Sequence, residues 1–363
     1  MGLDIDFSMA MYNRTGKYFI GRDLLDGVGD LFDNIYYWRL ARERPPSGFF
    51  GKVVRKLQAW QIILNAHGGL FGQRLLFKPR QALLHLEPYT VLTTKLSRHD
   101  VVIVHDVGPV THPDLFEKKL YPAYKSIFDE LCSVGPHLIF VSRASQLEFE
   151  RIYPAAKPAG SYVVYPAIRS DVARKHGKAI TGIDGPFLLT TGSIGNRKNQ
   201  LRSIRAFERS GLAARGVRYV LCGPTEPGHE AVSAAAAKAD GVHLLQYVSD
   251  EELAWLYSNA SGFVLASLLE GFGIPLAEAI GYGLIPAVTQ GSVLEEVAGD
   301  GAVTLDAKSE ESIASAMIAL VDMSTAERAV RLVRLNQAIS RFSIDEFNSN
   351  WREVIEKIEA SNR

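Results

Sequence analysis

The sequence has too few cysteines for a disulfide scaffold or a structural zinc site. Its 363 residues include only Cys132 and Cys222, which lie far apart along the chain. Small secreted domains and zinc modules need more cysteines at closer spacing. Both cysteines fall within apolar stretches, so we expect two reduced thiols in the core of a cytoplasmic protein.

Long apolar runs and an excess of one charge are also missing. No run approaches the roughly 18 apolar residues of a membrane-spanning helix, and the first residues lack the charged-then-apolar pattern of a signal peptide. Lys and Arg together number 40, as do Asp and Glu, so no overall field attracts nucleic acid. These absences predict a cytoplasmic protein without a nucleic-acid partner.

Motifs of several other enzyme classes are absent as well. The chain has no Walker loop, no Gly-x-Gly-x-x-Gly after a strand and no Gly-x-Ser-x-Gly elbow, which argues against kinases, dinucleotide dehydrogenases and α/β-hydrolases. Asp4 and Asp6 superficially resemble a metal-binding Asp-x-Asp pair. Because they fall inside the first predicted strand, at the start of the chain, we predict no metal site.

The sequence does contain a repeated βαβ pattern, in two halves. Short apolar runs alternate with longer amphipathic stretches, which is typical of parallel strands covered by helices. The pattern weakens over residues 168–186, where Gly and Pro mark a linker. We therefore predict an α/β protein with two doubly wound Rossmann-like domains, residues 1–168 and 169–342, and a C-terminal helical segment, residues 343–363, that packs back on the first domain.

The expected strands and helices follow from these runs. The predicted strands are residues 3–7, 34–40, 82–86, 101–105, 138–141 and 162–165, then 187–191, 219–222, 242–247, 262–265, 285–289 and 302–305. The predicted helices include residues 51–64, 199–210, 230–239, 250–259, 275–281 and 343–359. Ligands of open α/β sheets bind beyond the carboxyl ends of the strands, so we expect the chemistry on strand-end loops, in a cleft where the two sheets face each other.

The most specific motif runs from Glu270 to Glu278. It follows the strand at 262–265 and opens a helix near Pro275, where backbone N–H groups suit phosphate or sugar oxygens. The glycines allow close approach of the backbone to a ligand, and each carboxylate can accept hydrogen bonds from a pair of neighbouring hydroxyls. The alternative is that both acids only cap or salt-bridge the helix. The candidate backbone contacts are Gly271, Phe272, Gly273 and Ile274.

A second motif places Arg197 and Lys198 after the strand at 187–191. They follow Gly192 in a loop that leads into a helix, which is the outline of a diphosphate site. Two cations there would neutralise a departing nucleoside diphosphate. On these residues alone, a solvated basic helix start is an equal alternative.

Two features of the first half are weaker candidates. His105 and Asp106 end the strand at 101–105, but a lone histidine at a strand end is often structural. Residues 12–23 contain Gly16 and Gly21, which we interpret as a Gly-rich loop; ordinary turn chemistry is the alternative.

These motifs together resemble those of the group 1 retaining glycosyltransferases, which have the GT-B fold. Glu-Gly-Phe-Gly-Ile-Pro-Leu-Ala-Glu-Ala, from Glu270, is similar to the E-x7-E signature of that family. The resemblance implies that Glu270 contacts the donor sugar and Glu278 the nucleotide ribose. It also implies that Arg197 and Lys198 bind the donor diphosphate and that His105 contacts the donor sugar. Further implied contacts are Gly16 or Gly21 and Gly192 at the phosphates, Gly223 and Pro224 at the nucleotide, and Tyr247 and Val248 near the base.

The resemblance implies a reaction as well as a site. The first domain would bind the acceptor and the second the donor. A hexose would pass, with retention and without a divalent metal, from a nucleotide diphosphate sugar to a glycan or lipid-linked glycan. Mannose from GDP-mannose, in bacterial surface polysaccharide synthesis, is the favoured case. The donor is a substrate and no separate cofactor is expected, with GDP or UDP as the product.

Three alternatives stay open from the sequence. The helix around residues 50–64 pairs an apolar stripe with Lys52, Arg55 and Lys56, so it either lies on the inner face of the membrane or is a domain helix with a solvated basic edge. The enzyme could instead be a sugar-nucleotide epimerase on the same fold. A catalytically silent GT-B partner protein is the third alternative.

Overall fold

The computed structural model describes residues 2–12, 16–118, 120–168 and 177–362. The chain divides into two compact units, the first formed by residues 1–167 with 344–363 and the second by residues 168–343. The sequence had placed these borders at 168/169 and 342/343. In the described residues, no helix combines the length and the hydropathy that crossing a membrane requires.

Unit 1 contains a seven-stranded sheet in the order β3-β2-β1-β4-β5-β6-β7, parallel except for the β2–β3 pair. The strands β4, β5 and β6 are buried along their whole length, as expected of a sheet covered on both faces. In the register of β5 and β6, Val104 lies opposite Phe140. The strands are β1 (Leu3–Asp6), β2 (Ile35–Tyr37), β3 (Leu40–Ala41), β4 (Ala82–His85), β5 (Val101–Val104), β6 (His137–Phe140) and β7 (Gly160–Val163).

The helices of unit 1 include one that comes from the far end of the chain. In sequence order they are α1 (Gly16–Val28), α2 (Gly48–Ala66), α3 (Gly108–Thr111), α4 (Leu120–Val134) and α5 (Arg143–Ile152). The C-terminal helix, Ile344–Ser361, also belongs to this unit. It buries Phe347, Trp351 and Ile358, and its Arg352 pairs with Asp30, just beyond α1.

Unit 2 contains a six-stranded parallel sheet in the order β10-β9-β8-β11-β12-β13. Its strands are β8 (Phe187–Thr191), β9 (Arg218–Cys222), β10 (Val242–Leu245), β11 (Gly262–Leu265), β12 (Pro286–Thr289) and β13 (Val303–Leu305). Its helices are α6 (Gln200–Ser210), α7 (His229–Ala236), α8 (Asp250–Asn259), α9 (Ile274–Gly281), α10 (Val293–Ala298), α11 (Glu310–Asp322) and α12 (Thr325–Ile339). The C-terminal helix of unit 1 is accordingly α13.

The strand order in each sheet creates a switch point. In unit 2 the order reverses between β8 and β11, and in unit 1 it reverses between β1 and β4. Loops leaving adjacent strands at such a point diverge and open a crevice, which is where doubly wound sheets bind ligands. The prediction of two doubly wound α/β units is confirmed.

Two local predictions were wrong. The strand expected over residues 34–40 is divided at Trp38, which has φ of 65°, into β2 and the antiparallel β3. Residues 12–23 were expected to form a Gly-rich loop, but α1 begins at Gly16 and runs through Gly21. A Cβ at Gly21 would lie 2.6 Å from the Phe7 ring and 2.7 Å from Leu86. The lack of a side chain there is therefore explained by close packing of α1. Residues 13–15 of this segment lie outside the described residues.

Candidate active site

The loops after β8 and β11 are tied together at the switch point of unit 2. Asn199 adopts a left-handed backbone conformation with φ of 60°, and its side-chain amide donates to the carbonyls of Ala266 at 3.0 Å and Ala307 at 2.8 Å. The Leu268 amide donates to the Arg197 carbonyl at 2.9 Å. These bonds hold the basic loop against the loop that carries Glu270.

Arg197, Lys198 and Glu270 meet in one cluster. Lys198 Nζ donates to Glu270 Oε1 at 2.5 Å, and Arg197 donates to Glu270 Oε2 at 3.1 Å. Ser267 Oγ donates to Glu270 Oε1 at 2.7 Å. The second guanidinium N–H group of Arg197 donates to Glu226 at 3.1 Å. The structure thus brings together the two cations and the first acid of the two sequence motifs.

Burial strengthens the electrostatic interactions within this cluster. The Lys198 side chain is 5% exposed and the Glu270 side chain 7%. Burial lowers the pKa of Lys198 below its usual value, against the opposing effect of Glu270. Burial raises the pKa of Glu270, but Lys198 and Arg197 outweigh it and bring the pKa below the ordinary value. Glu270 is therefore an ionised carboxylate at neutral pH, paired with both cations.

Two glycines allow the strand-end loops to pass beside this cluster. Gly192 has φ of 123°, and a Cβ there would lie 3.1 Å from Cε of Lys198. Gly223 has φ of 149°, and a Cβ there would lie 2.1 Å from the Gly192 carbonyl. Any side chain at Gly223 would push these two loops apart. Pro224 follows on an exposed part of the β9 loop.

Glu278 is buried in α9 and accepts a hydrogen bond from a tyrosine hydroxyl, which is itself bonded to a threonine. Tyr257 donates to Glu278 Oε2 at 3.0 Å, and Thr191, the last residue of β8, lies 2.7 Å from the same tyrosine oxygen. Burial first, and then the Glu278 charge, raise the pKa of Tyr257 well above its usual value. This relay connects the second acid of the motif to the same end of β8 that leads to Arg197 and Lys198.

The residues between the two acids have distinct surroundings. Gly273, with φ of 94°, precedes the first residue of α9, Ile274, which is half-buried. Phe272 is buried and packs edge-on against Phe342 at 5.0 Å. The Phe272 side chain is therefore part of the core, and its predicted ligand contact, like that of Gly271, is one that backbone groups would make.

The loop after β10 carries the two residues expected near the base. Tyr247 is 89% exposed and Val248 is half-buried. The next residue, Ser249, caps α8 in a reciprocal arrangement with Glu252, which fixes the end of the loop. A nucleotide contact by Tyr247 and Val248 stays a prediction.

The strand ends of unit 1 hold His105 as a buried neutral group. His105 Nε2 lies 2.9 Å from the Leu86 carbonyl, so this nitrogen carries the proton and donates. Burial, and then the charge of Lys17, lower the pKa of His105 to about 4. At neutral pH, His105 is therefore a neutral imidazole whose one N–H group is held by Leu86 and whose Nδ1 can only accept. Its predicted contact with the donor sugar is untested.

Several side chains of these clusters were missed by sequence reasoning. Lys17 pairs with Glu87 at 2.7 Å close to His105, and the Lys17 pKa is raised because Glu87 and Asp106 outweigh its burial. Glu226 and Ser267 join the Arg197 cluster. Glu226 lies only a few residues after β9, so applying the strand-end rule to every charged residue would have found it.

The chain is similar in sequence to known proteins. Residues 174–335 match the family described as glycosyl transferases group 1. The chain is 25% identical over 264 residues to the O-antigen chain mannosyltransferase RfbU of Salmonella typhimurium, covering 71% of this chain and 70% of the relative. It is 26% identical over 288 residues to O-antigen chain mannosyltransferase B of Escherichia coli, covering 73% and 72%.

Solved structures show the same fold at low identity. A trehalose-6-phosphate synthase, OtsA, aligns over 99% of both chains with a TM-score of 0.67 and 12% identity. An α,α-trehalose-6-phosphate synthase from Burkholderia multivorans covers 98% of this chain and 84% of its own, with a TM-score of 0.62 and 12% identity. The expected GT-B fold is confirmed. The chain is a glycosyltransferase, and its residues 174–335 match the group 1 family.

Proposed function

We propose that this enzyme transfers mannose from GDP-mannose, with retention of configuration, to a glycan or lipid-linked glycan during bacterial surface polysaccharide synthesis. The proposal also places the transfer reaction at the inner face of the membrane. The names of the two curated relatives support the sugar and the setting, since both are O-antigen chain mannosyltransferases. The donor is a substrate, so the proposal includes no separate cofactor.

The observation that carries the proposal is the convergence of Arg197 and Lys198 on Glu270. As the sugar bond breaks, negative charge develops on the departing diphosphate, and preorganised cations stabilise it. Both cations are already held by Glu270 and Glu226, so little reorganisation is needed when the donor binds. The phosphate charge would also favour the charged form of Lys198.

Glu270 has two tasks in this proposal. Its Oε1 accepts from Lys198 and Ser267 and its Oε2 from Arg197, which fixes the positions of both cations. A carboxylate has about four acceptor sites, so it retains capacity for a sugar hydroxyl. Glu278 would accept from the ribose diol, oriented by Tyr257.

Retention is part of the proposal because the motifs resemble those of the group 1 retaining glycosyltransferases, and the chemistry of the acids bears on how retention is achieved. A carboxylate paired with two cations, with a lowered pKa, is a weak nucleophile, so Glu270 does not suit a covalent glycosyl intermediate. We therefore propose that the acceptor hydroxyl attacks from the face that the leaving diphosphate occupies. The two cations supply the charge neutralisation for which other transferases use a divalent metal.

Nucleotide binding tests the donor assignment. A thermal-shift panel of GDP, UDP, ADP and dTDP should show the largest increase in melting temperature with GDP, because ligand binding to the native state stabilises it. Addition of EDTA should leave the GDP shift unchanged. A larger shift with UDP would overturn the choice of nucleotide, and no shift with any of the four would favour a silent partner protein.

Product analysis tests the reaction. With GDP-mannose and a glycan acceptor, NMR of the product should show the α-anomeric configuration of the donor, and GDP should appear in equal amount. Conversion of the nucleotide sugar in the absence of any acceptor would instead identify an epimerase.

A further inference from the structure

Helix α2 of unit 1 presents its apolar side to solvent. Its buried residues are Gly51, Val54, Gln58, Gln61 and Asn65, three of which carry polar amides. Its exposed residues recur at helical spacing and include Phe49, 83% exposed, Trp60, 55% exposed, and Ile63, 62% exposed. An ordinary surface helix buries its apolar stripe and exposes its polar one.

Buried hydrogen bonds lock α2 in this rotation. Gln61 donates to the carbonyls of Leu75 and Thr93 and accepts from the Trp38 indole N–H group. Asn65 donates to the Leu92 carbonyl at 2.6 Å and accepts from the Leu75 amide at 3.0 Å. Turning the helix to bury its apolar side would break all of these bonds and leave buried polar groups unpaired. The exposure is therefore imposed by the fold.

Exposed apolar side chains also occur in the segment that follows the helix. Phe50, Val53 and Leu57 of α2 are also exposed, as are three side chains in the segment that follows it: Leu70, Phe71 and Leu75. We call these nine residues, Phe49, Phe50, Val53, Leu57, Trp60, Ile63, Leu70, Phe71 and Leu75, the α2 surface. Exposed apolar groups collected in one segment indicate an interaction site.

The same segment is strongly basic in a chain without net charge. Residues 34–86 contain nine Lys and Arg residues and a single acid, Glu43. Arg55 and Arg74 are used internally, since they bond to the Met11 carbonyl and to Glu130. The remaining cations are exposed and, among the described residues, form no ion pair: Arg39, Arg42, Arg44, Lys52, Lys56, Lys78 and Arg80.

We propose that the α2 surface docks this protein on a bilayer of anionic phospholipid. Apolar side chains would enter the boundary between headgroups and acyl chains, and the surrounding cations would contact lipid phosphates. This inference refines the membrane location given under the proposed function. It rests on that function only for the nature of the acceptor, because the observations on α2 do not involve sugar transfer.

Charge argues against a second copy of the chain as the occupant. A twofold interface places a patch against itself. Here that contact would bring the seven exposed cations of each copy together, with only Glu43 of each segment to compensate them. An anionic lipid surface instead complements the charge and accepts the aromatic side chains, since Trp is enriched at the bilayer interface.

Sedimentation of the full chain with lipid vesicles tests the proposal. The protein should bind vesicles of phosphatidylcholine mixed with phosphatidylglycerol, and added salt should weaken that binding. Replacing both Lys52→Gln and Lys56→Gln should lower the partition coefficient about 30-fold, at about fivefold for each cation. The matched control is Lys238→Gln with Lys308→Gln, two exposed lysines of unit 2, which should change nothing.

The apolar part of the surface has its own variants. Phe49→Ser with Trp60→Ser should abolish vesicle binding, whereas Val330→Ser with Val333→Ser, two exposed valines on α12, should not. All four side chains are exposed, so thermal melts should stay close to that of the parent protein. Trp60 fluorescence should shift to shorter wavelength when mixed vesicles are added, and Trp60→Phe should remove that shift.

Three outcomes would overturn the proposal. Equal binding to pure phosphatidylcholine would remove the role of charge, and no vesicle binding at all would remove the lipid partner. A dimer in analytical ultracentrifugation that Phe49→Ser with Trp60→Ser dissolves would make the surface a self-association interface.

Catalytic readouts separate this inference from the proposed function. Lys198→Ala should lose sugar transfer but keep vesicle binding, and Phe49→Ser with Trp60→Ser should keep transfer to a water-soluble acceptor. Vesicle binding without binding of any nucleotide would contradict the proposed function but would leave the membrane-docking inference standing.

Discussion

The two units place polar residues at equivalent strand ends, but the charges there differ. In unit 2, the buried carboxylate of Glu270 holds two cations. In unit 1, a neutral His105 lies near the less buried Lys17–Glu87 pair. The cluster of unit 2 therefore suits an anionic ligand. In unit 1, the one N–H group of His105 is taken by the Leu86 carbonyl, so the imidazole offers a ligand only Nδ1, which is an acceptor. A shared topology decides where a site forms, and the side chains decide which ligand it can take.

The largest expected effect tests the cations of unit 2. Lys198→Ala should lower the transfer rate by 100-fold or more, about 2.7–4 kcal/mol, because one donor to the departing diphosphate is lost. Steady-state kinetics with saturating donor measures it. The matched change in unit 1, Lys17→Met, should cost much less. Equal losses of transfer rate in the two variants would contradict the difference in charge that we infer between the two units.

The next prediction concerns the pH range in which each unit loses stability. The pKa of His105 falls from 6.5 to about 4 on folding, so the unfolded state binds the extra proton first as the solution is acidified. His105 should therefore make stability fall between pH 6.5 and pH 4, by about 3 kcal/mol. Urea unfolding of the parent protein and of His105→Gln measures this, and the variant should lack that part of the loss.

Glu270 should act in a lower pH range. Its folded pKa lies below 4.5, so the stability it contributes is present above that pH and is lost as the pH falls further. In the same urea series, Glu270→Gln should differ in slope from the parent only below about pH 4.5. If His105→Gln and Glu270→Gln changed the dependence of stability on pH over the same pH range, the two sites would not differ in the way we infer.

A smaller effect compares the ion pairs directly. A double-mutant cycle with Lys198→Met and Glu270→Gln should give a coupling free energy of about 1–3 kcal/mol, because the pair is buried. The cycle with Lys17→Met and Glu87→Gln should give about 0.2–1 kcal/mol, since the Lys17 side chain is 34% exposed. Denaturant unfolding measures both, and a reversed order would contradict the burial argument.

The smallest effect concerns the orientation of Glu278. Tyr257→Phe removes the hydroxyl that bonds to Glu278 and Thr191. Loss of one such bond should cost about 1 kcal/mol, which corresponds to a GDP dissociation constant about fivefold higher. Calorimetry with GDP measures it. Tyr219→Phe, which loses a hydroxyl bonded to Thr190 in the same sheet, should leave GDP affinity unchanged.

Much of unit 2 was predictable because local signals agreed with one another. β8 and β11 were predicted with the bounds that the structure shows, and the loops after them were assigned to the site. Parallel strands align their carboxyl ends, so two such loops from adjacent strands must lie close. The hydroxyl relay from Thr191 through Tyr257 joins three separate elements, and no local pattern indicates it.

Unit 1 was harder to predict where packing overrides pattern. Gly16 and Gly21 indicated a loop, yet α1 forms because the bare backbone of Gly21 fits against Phe7 and Leu86. Both α2 and α13 carry apolar stripes at helical spacing. α13 buries its Phe347 and Trp351, while α2 exposes its Phe49 and Trp60.

By itself, the sequence determined the α/β class, the positions of most strands and the residue types at the second unit's strand ends. These follow from hydrophobic periodicity and from glycine and charge placed after apolar runs, all of which are local. Only the tertiary structure decided that Glu270 joins both cations and that α2 turns its amides inward. Those outcomes depend on hydrogen bonds between segments distant in sequence, such as Asn65 with Leu92 and Lys198 with Glu270.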